Sequence, residues 1–167
     1  MKESSYIAKG GLLTGLSVLF LYLAYILPTN KLAMLTLASL IIPLAILTMD
    51  IKRSLMVYTA SSILILLFGL KSILLLYILF FGPYGIVKLL AERLNKTYIE
   101  IILKLIFFNA SALLAYFLGK AFLFNSIELR LPLGVLLLSL QVFFFIYDYS
   151  LTILINFIQR RILKNQI

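Results

Sequence analysis

The feature that most constrains this chain is a succession of apolar runs without a single ionised side chain. Residues 10–30 are free of charge over 21 positions, 32–49 over 18 and 54–70 over 17. Further along, 72–87 gives 16, 105–119 gives 15, 131–147 gives 17 and 149–159 gives 11. Crossing the hydrocarbon core of a bilayer takes about 20 residues of helix. Backbone polar groups at that depth must bond within their own segment, so apolar runs of this length read as helices. Hydrophobic residues make up 63% of the chain and charged residues 13%, against roughly 45–50% and 25% in soluble domains. A water-soluble globule of this size cannot hide that much apolar surface. A soluble enzyme, a disordered chain and an ordinary DNA-binding domain are therefore excluded. The sequence predicts an all-α polytopic membrane protein.

The span boundaries follow from the charges. The fourth run extends to Leu90 if Lys88 snorkels, and the fifth extends back to about Ile99 if Lys104 does the same. No Gly-, Pro- or Asn-rich turn divides 131–159, which reads as one long tilted helix with Asp148 inside it. The expectation is six helices, at about 7–27, 32–49, 54–70, 72–90, 99–119 and 131–158, in one transmembrane domain covering 1–167. Short connections favour a compact antiparallel bundle. No small-x-small cleavage site precedes Leu27-Pro28-Thr29-Asn30, so the first run reads as a retained helix rather than a signal peptide. With the N-terminus in the cytoplasm, the inner segments hold Lys2, Lys9, Lys52, Arg53, Lys88, Arg93, Lys96, Lys104, Arg160, Arg161 and Lys164. The outer segments hold Lys31, Lys71, Lys120 and Arg130. Eleven against four obeys the positive-inside rule and places both termini in the cytoplasm. It also accounts for the net charge of +9 without nucleic acid as a partner. Ten Lys against five Arg, with abundant Ile, Leu and Asn, hints at an AT-rich bacterial genome and hence a bacterial cytoplasmic membrane.

Several chemistries are ruled out by composition. Without cysteine there are no disulfides, thiol nucleophiles or thiolate metal sites. Without histidine the commonest general base and metal ligand are missing. No phosphate-binding G-x-x-x-x-G-K-[ST] or G-x-G-x-x-G run is present, and no H-E-x-x-H or G-x-S-x-G. No cofactor, metal or catalytic residue is expected. Transport driven by ATP would need an ATPase on another chain.

Four features remain. Gly11 and Gly15 open the first helix as a G-x-x-x-G, with Gly10 and Thr14 alongside; such a strip admits the close approach of another helix, either within the bundle or from another subunit. Asp148, flanked by Tyr147 and Tyr149, lies twelve residues before Arg160, roughly 18 Å along a helix. A carboxylate near the midplane is a functional hypothesis by default, or else a structural ion pair. Lys104 can snorkel, pair with Glu100 at i,i+4, or meet Asp148; Asn109 lies on the same helix. Gly82, Pro83 and Gly85 cluster in one span and predict a break or kink, which at membrane depth either lines a cavity or is an ordinary proline kink. Lys88 and Glu92 form a second i,i+4 pair. As a candidate solute-binding set we take Asp148, Asn109, Lys104 and Tyr147; as a candidate partner-docking pair, Gly11 and Gly15.

Six helices, both ends inside, this chain length and a small-x-x-x-small strip on helix 1 resemble the S components of energy-coupling factor transporters, the substrate-binding membrane subunits of bacterial vitamin and metal importers. In that family an Ala-x-x-x-Ala strip on helix 1 docks on the coupling membrane subunit; Gly11 and Gly15 occupy the corresponding place here. The resemblance implies a small solute captured from outside and association with a coupling subunit and two ATPases. It names no solute. Two other classes stand beside it. One is a non-transporting scaffold, such as the small rod-shape-determining membrane proteins. The other is a stand-alone proton-coupled carrier or small channel using Asp148.

Overall fold

A computed structural model describes residues 2–94, 96–122 and 133–164. Among these residues the regular structure is helical, without a strand. Helix α1 is Lys2–Ile26. A 3₁₀ turn at Pro28–Asn30 leads into α2, Lys31–Thr48. Then come α3, Ile51–Leu67, and α4, Lys71–Glu92. The last two are α5, Thr97–Phe122, and α6, Leu133–Lys164. Five of these are long and apolar enough to cross a membrane, and α3 has 17 residues. The chain is a multi-pass membrane protein.

The helix bounds depart from the expected ones where local chemistry overrides the charge count. The third helix, expected at 54–70, is shifted towards the N-terminus. The Asp50 carboxylate accepts a hydrogen bond from the Arg53 N–H at 2.8 Å and caps the helix three residues early. At the other end Gly69 adopts φ +73°, a left-handed conformation that ends the helix before Leu70. Helix α1 starts at Lys2 instead of about 7. Helix α6 runs to Lys164 instead of 158. At about 1.5 Å per residue its 32 residues span roughly 48 Å, well beyond the ~30 Å hydrocarbon core. The expected start of that helix at 131 lies outside the described residues.

Helix α2 is the centre of the bundle. It packs against α1, α3, α4 and α6 and buries Leu35, Ala38, Ser39, Ile41, Ile42, Pro43 and Ala45. One core joins Leu21 and Ala24 of α1, Leu35 and Ala38 of α2, Tyr77, Phe80, Phe81 and Tyr84 of α4, Phe108 of α5 and Phe144, Tyr147 and Leu151 of α6. The outer faces are studded with exposed Leu, Ile, Phe and Tyr, among them Leu12, Ile63, Ile106 and Phe145. In water such a surface would aggregate; in lipid it is the solvent-facing side.

The glycine–proline cluster does not break α4. The helix runs through Gly82, Pro83 and Gly85. The irregularity lies just upstream, as a π-helical stretch at Tyr77–Phe81. There the Gly82 N–H donates to the Tyr77 carbonyl, five residues back. Continuing that pattern would aim the next N–H at Ile78, but Pro83 has none. The Tyr58 hydroxyl of α3 donates to the Ile78 carbonyl instead, at 3.0 Å. The glycines are there for proximity. A Cβ on Gly82 would overlap the Tyr58 ring, and one on Gly85 would overlap the Pro43 ring of α2. Pro43, inside α2, is therefore tolerated as the knob that fills the notch at Gly85.

Candidate functional site

Two features lie one above the other along the bundle, joined by contacting aromatic rings. The first is an ion network at the end where α4 finishes and α5 begins. Lys88 is fully buried and forms an ion pair with Asp148. Its ammonium also reaches Thr152 Oγ1 at 2.7 Å, the Asp148 carbonyl at 3.3 Å and Glu92 at 3.1 Å. The Tyr84 hydroxyl donates to Asp148 Oδ1 at 2.7 Å. Lys104, also buried, bridges Glu100 at 2.5 Å, Glu92 at 3.3 Å and Asp148 Oδ2 at 3.5 Å. Three carboxylates thus surround two ammonium groups. The ammonium groups are dry, whereas the carboxylates of Glu92, Glu100 and Asp148 keep 34, 26 and 23% of their side-chain surface.

The local sequence explains the assembly. Lys88 and Glu92 share one face of α4, as Glu100 and Lys104 do of α5, because residues four apart lie one above the other. Tyr84 and Lys88 on α4 meet Asp148 and Thr152 on α6 at the same four-residue spacing, so the two helices run in parallel register. In the low-dielectric interior an unpaired charge would be costly, and here every buried ammonium has carboxylate partners. The network ties α4, α5 and α6 together.

Asp148 lies nearer one end of the bundle than a count back from Arg160 suggests. Lys88 is one turn from the last residue of α4, whereas α6 continues sixteen residues past Asp148 to Lys164, about 24 Å. The extra length of α6 projects beyond its neighbours.

The four candidate solute-binding residues do not converge. Asp148 and Lys104 meet in the network. Tyr147 turns to α2, its hydroxyl 2.5 Å from that of Ser39. Asn109 sits on the exposed face of α5, where its Oδ1 accepts from Gln141 Nε2 of α6 at 2.8 Å. Tyr84 and Thr152 were not visible as members of the cluster. The four-residue spacing of Tyr84 and Lys88 is the one signal that could have suggested the first.

The second feature is a cavity of about 320 Å³ between α2, α4, α5 and α6, towards the opposite end. Phe80 and Phe81 of α4, Phe108 of α5 and Phe143 of α6 form its aromatic wall, with Ser111 on α5 beside them. The π-helical stretch supplies part of that wall. None of the four candidate residues lines it. Phe80 stands edge-on to Phe81 and Phe108, with centroids 5.1 and 5.3 Å apart. It also touches Tyr84 at 5.2 Å and Tyr147 at 5.1 Å. Since Tyr84 holds Asp148, contiguous ring contacts join the cavity to the ion network.

Gly11 and Gly15 occupy a third place. They floor a groove of about 710 Å³ between α1 and α3, together with Gly10, Thr14, Met56 and Val57. A Cβ added at Gly10, Gly11 or Gly15 would meet nothing within 4 Å. Packing inside the bundle therefore does not explain these glycines. Arg53 lies at one end of the groove, over the Tyr6 ring at 3.9 Å. No family model, curated protein or solved structure matches this chain.

Proposed function

We propose that this chain is the membrane-embedded solute-binding subunit of an importer, similar to an energy-coupling factor S component. It has six spans and cytoplasmic termini, and it works with a coupling membrane subunit and ATPases on other chains. The observation that carries this reading is the aromatic cavity between α2, α4, α5 and α6. It lies towards the end that the positive-inside rule turns outward, where an importer must meet its solute. Its volume falls within the range of small-molecule sites. The unpacked glycine strip lies at the other end, where a coupling subunit would dock. On this reading Asp148, Lys88 and Lys104 clamp the inner ends of α4, α5 and α6 and touch no solute. The membrane is the bacterial cytoplasmic membrane.

Gentle affinity purification from the native membrane tests the proposal, with mass spectrometry of bound proteins and small molecules. Recovery of a coupling subunit with an ATPase pair, lost on Gly11→Leu or Gly15→Leu, is expected. Envelope-building proteins and no small molecule would overturn it in favour of a scaffold. Uptake by the purified chain alone would point to a stand-alone carrier.

A further inference from the structure

We infer that the cavity between α2, α4, α5 and α6 takes an uncharged two-ring aromatic compound that hydrogen-bonds to the Ser111 hydroxyl. The inference rests on the reading of this cavity as the solute site and names the class of solute.

Size is the first constraint. An apolar cavity of roughly 150 Å³ holds one benzene ring. At about 320 Å³ this one has room for about two fused rings and small substituents. Charge is the second. No lining residue among the described ones is ionisable, and the ammonium groups of Lys88 and Lys104 are already committed to carboxylates. A charged solute would lose its hydration without gaining a counter-ion, which excludes it. Shape is the third. Phe80, Phe81, Phe108 and Phe143 present faces and edges from three helices, an arrangement that suits a flat ring in stacked and edge-on contact. Polarity is the last. Ser111, 4% exposed, is the one lining residue with a polar side chain among those described. A hydroxyl both donates and accepts, so either a ring N–H or a ring carbonyl would pair with it.

Indole is the probe. The chain has no tryptophan, so indole emission reports the ligand alone. The full chain in detergent micelles is titrated with indole against empty micelles, and in separate titrations with indole-3-acetate and tryptamine, charged analogues that carry the same fluorophore. The expected result is a blue-shifted, saturable signal that Ala112→Phe abolishes by filling the cavity. Ser111→Ala should weaken indole by about five- to tenfold, the usual worth of one neutral hydrogen bond. The charged analogues should bind at least about a hundredfold more weakly. Ala115→Leu provides a smaller filling change if Ala112→Phe does not fold. Tighter binding of either charged analogue, abolished by the filling variants, would overturn the neutral class and leave the solute-site reading standing. A lipid acyl chain retained in the cavity through detergent exchange would overturn the ring class. No binding sensitive to cavity filling, from any of the three compounds, would overturn both.

Discussion

Cutting the ion pair between Lys88 and Asp148 is the sharpest test of how the bundle is held. Lys88 is fully buried and Asp148 retains 23% of its side-chain surface. Asp148→Leu leaves the ammonium with Glu92, at 3.1 Å, as its carboxylate partner. It also leaves the Tyr84 hydroxyl without the acceptor it now has at 2.7 Å. Removing one partner of a buried pair costs about 3–5 kcal/mol. Because Glu92 remains and Asp148 is partly exposed, we expect about 3 kcal/mol, the lower end of that range. Lys88→Met leaves Asp148 facing Lys104 at 3.5 Å, so about 2 kcal/mol is expected there. The double variant removes both charges and replaces them with apolar atoms of similar volume. Its loss should be about 2 kcal/mol, mostly from the stranded Tyr84 hydroxyl, since the Thr152 hydroxyl keeps its 2.9 Å bond to the backbone carbonyl of residue 148. The coupling is the sum of the single losses less the double loss, about 3 kcal/mol. Reversible unfolding in micelles, titrated with SDS and followed by circular dichroism, measures all three. Thermal melts should show the larger single variant down by roughly 6–12 °C. Additive losses, with coupling under about 0.5 kcal/mol, would refute the ion pair as a joint between α4 and α6.

The two groups of glycines should behave oppositely. Gly85→Ala presses a Cβ into the Pro43 ring, which is anchored to α2 and cannot swing aside; a loss of about 2–3 kcal/mol in the same unfolding assay is expected. Gly82→Ala meets the more mobile Tyr58 ring and should cost less, about 1–2 kcal/mol, accompanied by loss of the Tyr58–Ile78 bond that Tyr58→Phe removes alone. In contrast, Gly11→Ala and Gly15→Ala have open space and should leave stability unchanged or raise it by up to ~1 kcal/mol through helix propensity. Cytoplasmic and external reporters fused after residues 30 and 71 should read outside, and those after 52 and 96 inside; any reversal refutes the six-span arrangement.

Much of the fold was legible because a bilayer imposes a one-dimensional rule. Span length and the placement of Lys and Arg are properties of local sequence, so the helices emerge from counting charges. The i,i+4 pairs Lys88–Glu92 and Glu100–Lys104 were legible too, since helical geometry alone brings them together. Helix ends were less so. The Asp50 cap and the left-handed Gly69 act through single backbone groups that a hydropathy count does not see.

Tertiary structure decided everything that depends on how a helix is rotated about its own axis. A sequence cannot say which neighbour Asp148 faces; the azimuth of α6 against α4 gave it Tyr84 and Lys88 and turned Tyr147 away to Ser39. The same rotation sent Asn109 to Gln141 and away from the network. Glycines look alike in sequence, yet Gly82 and Gly85 are crowded by Tyr58 and Pro43 while Gly11 and Gly15 face an open groove. The cavity came from no motif either, because it is formed by rings from α4, α5 and α6. The bilayer selects along the chain, and sequence records that; packing selects around each helix axis, and only the assembled bundle records that.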